Sequence, residues 1–384
     1  MIHISERVVA RMVANVVKYR PPSMKDIDMR AFKKKGVFEV SARTNNWAVI
    51  ARVKTEVEKP FTFSVAVDVV AKLFRATSTA SLKLEHVNKT CSYSCKGRNG
   101  IFNTVQFVDP PEIDLERNSD LPNSFLFQAA KLHETMRIEG LYRKESNTTP
   151  PDVLLQINKK DAGRAVLTTG DNQHIVCAGF ELKEPGIAGF RINVPQAYMD
   201  YFSVFKPSKA YVSKAGMLIL HAEADGIDYI FALPPLSAEN NVRDIAKQMI
   251  KEQDTARTAI MPFDFLDAVN EDIIKSGVTD LNFTFDKGTC QIKGVDKGRE
   301  INIKRNDVNL DKASFSLSAL SVRDAIAVMT RIFKAQTRKV KGGEDEKVKL
   351  SSTLTLAPRA VLLHITGKVE GTKHDTHIIL AQIS

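Results

Sequence analysis

Phe61-Thr62-Phe63-Ser64-Val65 alternates apolar and polar residues and runs straight into a helical pattern over 66–75. The chain makes the same move twice more. Phe190-Arg191-Ile192-Asn193-Val194 opens onto 195–205, and Phe315-Ser316-Leu317-Ser318 opens onto 319–334. Each strand–helix step follows a lead-in that starts at a glycine, Gly36, Gly163 or Gly288, placed 25, 27 and 27 residues before the phenylalanine. Two hairpin-like strands fill each gap. A repeat of about one third of the 384 residues decides the architecture.

Working outward from the repeat, three tandem units are expected, at 1–120, 121–252 and 253–384. The first reads as a strand at 1–4, a helix at 6–19 with Ser5 as its N-cap, and a break at Arg20-Pro21-Pro22-Ser23. Strands at 37–43 and 47–53 lead to the strand–helix step, and strands at 81–87, 90–96 and 101–108 close the unit. The second reads as a strand at 124–127, a helix at 128–139, and strands at 153–158, 164–168 and 174–182 before its own step. Three more strands and a polar, partly helical connector at 236–254 follow. The third begins with a strand at 258–261 and a helix at 263–275, then strands at 280–286, 289–295 and 300–305. After its step, 337–346 reads as a charged, glycine-containing mobile loop. Each third is itself doubled. The fold class expected is α+β, with six strand–helix–strands half-units whose helices share one face of antiparallel sheet.

Composition narrows the function. Hydrophobic residues make up 43% and charged residues 26% of the chain, as in ordinary globular protein. No apolar run has the length of a membrane span, and the first residues lack a signal-peptide pattern, so no membrane role is expected. Cys91, Cys95, Cys177 and Cys290 have no CxxC spacing and read as buried free thiols in a reducing compartment. The net charge of +10 is uneven. Residues 1–120 hold 20 basic and 13 acidic residues, 121–252 hold 15 of each, and 253–384 hold 20 and 17.

The helices carry much of the excess. Arg7, Arg11 and Lys18 share a face opposite Val9, Val13 and Val16. Lys72 and Arg75 share a face, as do Arg331, Lys334 and Arg338, while Lys131 and Arg137 are exposed candidates. Such surfaces meet phosphates without reading bases, although one amphipathic helix of this kind is more often merely solvated. The fifth helix dissents with Asp264, Asp267 and Glu271.

The search for catalytic motifs is negative: GxxxxGK[ST], GxSxG and HExxH are absent, and no cofactor is expected. His364, His374 and His377 fall in the last hairpin, but no acidic or cysteine partner has ligand-like spacing, so they read as exposed strand histidines rather than a metal site. Asp171 and His174 sit at a turn, where their residue types are common anyway.

In order and spacing the chain resembles the bacterial DNA polymerase sliding clamp, the β processivity subunit, over essentially its whole length. The best local match is Gly163-Arg164-Ala165-Val166-Leu167-Thr168-Thr169-Gly170-Asp171 with His174-Ile175-Val176-Cys177. Arg20-Pro21 is similar to the family's Arg-Pro loop that touches duplex DNA, and 38–53 and 61–74 follow the pattern of its first domain. The divergence suggests a phage-encoded or otherwise remote member.

The resemblance implies three clamp domains per chain, and a head-to-tail homodimer that forms a six-domain ring around duplex DNA. The expected location is the bacterial cytoplasm or nucleoid. Carried-over DNA contacts are Arg20, Arg143 and Lys144; the face analysis adds Arg7, Arg11, Lys72, Arg75, Arg137, Arg331 and Lys334. DNA polymerase and clamp loader would dock short peptides on Thr169, Asp171, His174, Ile175, Pro262, Ile379, Leu380 and Ile383. The family usually ends that last run with Pro and Met, where Ala381 and Gln382 stand here. Ile273 and Ile274 match an apolar pair at the ring seam, with Ile101 and Phe102 opposite. A clamp-like monomer or trimer remains an alternative. A metal- or carboxylate-dependent nucleic-acid enzyme using Asp171, His174 or the late histidines is a third reading.

Overall fold

The computed structural model describes every residue except 22, 110–111, 114, 138–151, 172, 195–197, 200–201, 203–206, 235–240, 297–298, 307, 311, 338–350, 370–371 and 384. In chain order the first elements are β1 (Ile2–Ser5), α1 (Glu6–Tyr19), β2 (Asp26–Phe32), β3 (Val37–Arg43), β4 (Ala48–Lys54), β5 (Phe61–Ala66), α2 (Val67–Val70), β6 (Ser81–Val87), β7 (Thr90–Cys95) and β8 (Arg98–Asn103). Next come β9 (Arg117–Leu121), α3 (Asn123–Met136), β10 (Val153–Ile157), β11 (Arg164–Gly170), β12 (His174–Glu181) and β13 (Arg191–Val194). They are followed by β14 (Lys209–Ser213), β15 (Leu218–Ala224), β16 (Ile227–Leu233) and α4 (Asn241–Glu252). The last group is β17 (Asp254–Pro262), α5 (Phe263–Ser276), β18 (Asp280–Asp286), β19 (Thr289–Asp296), β20 (Arg299–Asn306), β21 (Ala313–Ser318), α6 (Ala319–Thr337), β22 (Ser351–Ala357), β23 (Ala360–Val369) and β24 (Thr372–Ala381).

The repeat is visible in the hydrogen bonds. Gly36 accepts from the Thr55 N–H at 2.9 Å, Gly163 from Leu182 at 2.8 Å, and Gly288 from Val308 at 2.9 Å. Gly36 and Gly288 turn with φ of 57° and 75°, left-handed values that a side chain would strain. From each glycine two strands run out and back. They pair in the orders β5-β2-β3-β4, β13-β10-β11-β12 and β21-β18-β19-β20. The other strands pair as β1-β6-β7-β8, β9-β14-β15-β16 and β17-β22-β23-β24. All these pairings are antiparallel. Along the chain the order is fourth-first-second-third in the first three half-sheets and first to fourth in the other three, so each pattern occurs three times, once per third.

Two of these half-sheets join along β4 and β16, and two along β12 and β24, making two eight-stranded sheets. The other two remain four-stranded, and among the described residues β8 and β20 pair with no strand beyond β7 and β19. The chain divides into two compact units, Met1–Phe127 with Val204–Ser237, and Gln128–Ser203 with Ala238–Ser384. The middle third supplies strands to both.

In the first unit, α1 buries Val9, Met12, Val13, Val16 and Tyr19. Tyr19 meets the edge of Phe231 at 6.0 Å between ring centroids. In the second unit, α4 covers one face of the long sheet through Ala246, with Ile175, Cys177, Leu362 and Ile379 beneath it. Strand alternation turns His174, Ile378 and Leu380 toward the opposite face, which α6 covers.

Several expectations change. β2 was not anticipated. Residues 124–127 are helical, because Phe125, Ala129, Leu132, His133 and Met136 bury one face at helical spacing. The helix expected over 66–75 shortens to α2. Ser5 precedes α1 as placed, yet its side chain makes no capping bond. The connector contains a twelve-residue helix. Most of 195–205, and 338–346 with Arg338, lie outside the described residues. All four cysteines are buried and unpaired.

Candidate functional site

The expected DNA contacts differ in exposure and in surroundings. Arg7, Lys72, Arg75 and Lys334 have exposed side chains. Arg11 is paired with Asp225. Arg20 closes the end of α1: its Nε donates to the Met24 carbonyl at 2.9 Å, and its Nη1 to the Val17 carbonyl. Arg331 does the same for α3, donating to the Thr135 carbonyl at 3.0 Å and to that of Arg137. Arg137 is half-buried. Arg143 and Lys144 lie outside the described residues. A helical-wheel reading cannot foresee these bonds, because their acceptors are backbone carbonyls at or just beyond helix ends. On α5, Asp267 and Glu271 are exposed, and Lys275 reaches Glu271 at 3.3 Å.

The base of α1 is anchored by a buried charge. Glu6 is only 1% exposed and accepts from Arg98, from the Arg75 N–H at 3.0 Å and from the Cys95 thiol at 3.3 Å. Burial alone would raise its pKa, but hydrogen bonds from Arg98, Ser78 and Arg75 outweigh that and hold it at about 2. The same contacts tie α1 to β8 and bring the Arg75 backbone beside the first turn.

The expected peptide-site residues do not form one exposed surface. Thr169, His174, Ile175, Ile379 and Leu380 are buried, with Ile175 and Ile379 under α4 and His174 and Leu380 on the other face. Asp171 is half-exposed, Pro262 is half-buried at the start of α5, and Ile383 is 41% exposed. The turn itself is tightly built. Asp171 Oδ1 accepts from the backbone N–H groups of Gln173 and His174 at 2.8 and 2.9 Å and lies 2.7 Å from His174 Nδ1. Burial works to raise the Asp171 pKa, but these bonds from His174 and Gln173 leave it lowered. His174 Nε2 stands 3.9 Å from the buried Asp324 of α6. The geometry is that of a turn locked to a helix. Beside it, the Gln173 carbonyl accepts from the Ala381 N–H at 2.8 Å, and Gln382 Nε2 reaches the Ala360 carbonyl at 3.1 Å. Gln382, where the resembled family has a different residue, holds the final strand to the β22–β23 turn.

At the expected seam the paired residues separate. Ile101 on β8 is 74% exposed and Ile274 on α5 is 60% exposed. Phe102 instead packs on Phe63 at 6.1 Å, and Ile273 is 4% exposed, so both are interior residues. Sequence reading put β8 at the seam through Ile101 and Phe102 but did not single out β20, which among the described residues has no partner strand beyond β19. Only counting the sheet joins reveals it.

His374 turns into the core, where Nδ1 bonds the Thr376 hydroxyl at 2.9 Å, and burial lowers its pKa to about 4. His364 and His377 lie on the other face.

No protein-family model matches this sequence, and no curated protein matches it. Solved structures do match. The DNA polymerase III subunit beta from Pseudomonas aeruginosa superposes with a TM-score of 0.69 at 9% identity, covering 100% of this chain and 99% of that one. The DNA polymerase sliding clamp from Caulobacter crescentus gives 0.68 at 12%, with the same coverage. The H. pylori beta clamp in complex with 5-chloroisatin gives 0.65 at 11%, again over 100% and 99%. The chain has the fold of these β clamps from end to end.

Proposed function

We propose that a chain with this fold acts as a DNA sliding clamp, a non-enzymatic processivity factor that encircles duplex DNA and tethers a replicative polymerase. The observation that supports the reading most is the full-length likeness together with the unfinished sheet joins. The β4–β16 and β12–β24 joins each link two half-sheets through their last strands. The corresponding strands of the remaining half-sheets, β8 and β20, have no partner strand among the described residues. Two copies arranged head to tail would join β8 of one to β20 of the other, twice, and close a homodimer of six clamp domains, with one third of each chain per domain. Exposed Ile101 and Ile274 would flank that seam. A clamp loader would open it.

Within the ring, Arg7, Lys72, Arg75 and Lys334 are the cations whose exposed side chains suit phosphate contact. Few and exchangeable contacts suit sliding, because topology rather than affinity retains the DNA. Polymerase and loader peptides would bind near the Asp171–His174 turn and Ile383. With Ala381 and Gln382 in the final run, the peptide motif accepted should differ from that of the family. The place of work would be the bacterial cytoplasm or nucleoid. Among the described residues no helix is long and apolar enough to cross a membrane.

Sedimentation equilibrium tests the assembly: a mass near twice 42.7 kDa is expected. Topology tests the function. Chains dissociated by dilution are concentrated in the presence of nicked circular plasmid and then challenged with high salt. Retention on the circle, lost on linearisation, is the expected result. Equal loss from circle and linear DNA would leave an ordinary electrostatic binder.

A further inference from the structure

We infer that His364, Asp375 and His377 form a binding site for a divalent transition-metal ion of the zinc class, built across the β23–β24 hairpin. His364 and His377 are directly opposed in the strand register. Asp375 precedes His377 by two residues and therefore shares its face. One ligand atom from each of the three lies within 4.8 Å of the others. His364 Nε2 is hydrogen-bonded to Asp375 Oδ1. The two imidazoles stack with centroids 4.5 Å apart and 14° between planes. His377 Nδ1 is buried and has no hydrogen-bond partner among the described residues.

The chemistry of the donor set selects the ion. Two imidazole nitrogens and a carboxylate suit Zn²⁺, Co²⁺ or Ni²⁺, whereas Mg²⁺ and Ca²⁺ take oxygen shells. Ligand atoms around a tetrahedral zinc, with bonds of about 2.0–2.1 Å, stand roughly 3.3 Å apart, so the set closes by modest side-chain rotation. Coordination through His364 Nε2 would replace its hydrogen bond to Asp375, with the imidazole proton carried on Nδ1 instead. The strands beneath are fixed, since β24 is paired on both sides, with β23 and β12. Cys177 faces His377 across the register, but its sulfur accepts from the Thr168 hydroxyl at 3.7 Å. Three protein ligands leave a fourth position for water. Spacing along β24 puts Asp375 beside His377, and the cross-strand register is what adds His364.

The test titrates Co²⁺ into chelator-treated, full-length protein and follows the visible ligand-field bands, with Zn²⁺ calorimetry alongside. One saturable equivalent is expected, with Zn²⁺ displacing the cobalt spectrum. Asp375→Asn changes an exposed side chain and His364→Gln a half-buried one, so circular dichroism should show both folded. Each should weaken binding by more than about tenfold, the least that losing even an outer-shell partner costs. His221→Gln, far along the chain, should bind as wild type. Absence of a saturable equivalent in the wild type overturns the assignment, as does unchanged affinity in both Asp375→Asn and His364→Gln.

Discussion

Two kinds of sheet edge can be compared in this molecule: those joined within the chain and those left open. Along the β4–β16 join, Ala48, Val49 and Ala51 face Ala232, Phe231 and Tyr229, and every one is buried. Along β12–β24, Val176 faces Ile378 and Ala178 faces Thr376, again buried. The open edges look different. β8 exposes Asn99 and Asn103 beside Ile101, and β20 exposes Asn302 and Lys304. The half-sheets are all four-stranded and antiparallel, yet their edges suit different environments. A join made once during folding can be apolar. An edge that must stay soluble before meeting a second copy carries polar and charged residues, which also discourage indiscriminate strand pairing. If the seam forms as proposed, it should therefore be weaker and more salt-sensitive than the internal joins.

The largest expected effect breaks a closed join. Phe231→Ala should cost about 3–5 kcal/mol in urea denaturation, and a loss below about 1 kcal/mol would mean that the join is not core. Next comes the buried charge that links α1 to β8. Arg98→Met leaves Glu6 buried without its cation and should lower the urea midpoint, by less than Phe231→Ala does. The pH dependence has a definite sign. Glu6 titrates at about 2 in the folded chain against 4.5 as the ordinary value, so its contribution is complete above 4.5 and drains away as pH falls toward 2. Glu6→Gln should remove that slope from the acid limb of an unfolding-against-pH curve.

The open edge should respond differently. Ile101→Asp and Ile274→Asp should leave thermal unfolding of the single chain nearly unchanged while weakening dimerisation about 30-fold, or about 2 kcal/mol, by sedimentation. Ile273→Asp should instead unfold the chain, because that side chain is interior. Dimers that resist both exposed-site changes would move the seam elsewhere. The smallest effect is on DNA. Arg7→Ala or Lys72→Ala should lower the slope of log K against log salt by about 0.9 each. Arg20→Ala and Arg331→Ala should act mainly on stability, by about 1 kcal/mol.

The repeat was legible because its signal is redundant: three glycine lead-ins and three alternating strands agree. β2 was not. It contains Asp28 and Arg30, which look like loop residues until one sees Ser64 donating to Asp28 at 2.6 Å and the Arg30 guanidinium 4.5 Å from the Phe107 ring. Buried polar pairs disguise a strand. Sites were less legible than the fold. Arg7 and Lys72 keep the exposure that helical periodicity assigned them, whereas Arg20 and Arg331 are spent on carbonyls at or just beyond helix ends. Phe102 and Ile273 matched a seam by apolar character, but apolar character alone does not distinguish an interface from a core.

The β4–β16 join also sets a timetable for biosynthesis. Arg52 faces Asp228, 176 positions later in the chain. At about 5–20 residues per second, a ribosome needs roughly 10–35 s to deliver that partner. Throughout that interval the nascent chain holds an unfinished apolar strand, Ala48–Lys54. A polypeptide cut after the first third would keep that strand bare indefinitely. Expression of such a fragment should yield aggregate, and the first third should become soluble only when residues 204–237 are supplied in the same cell.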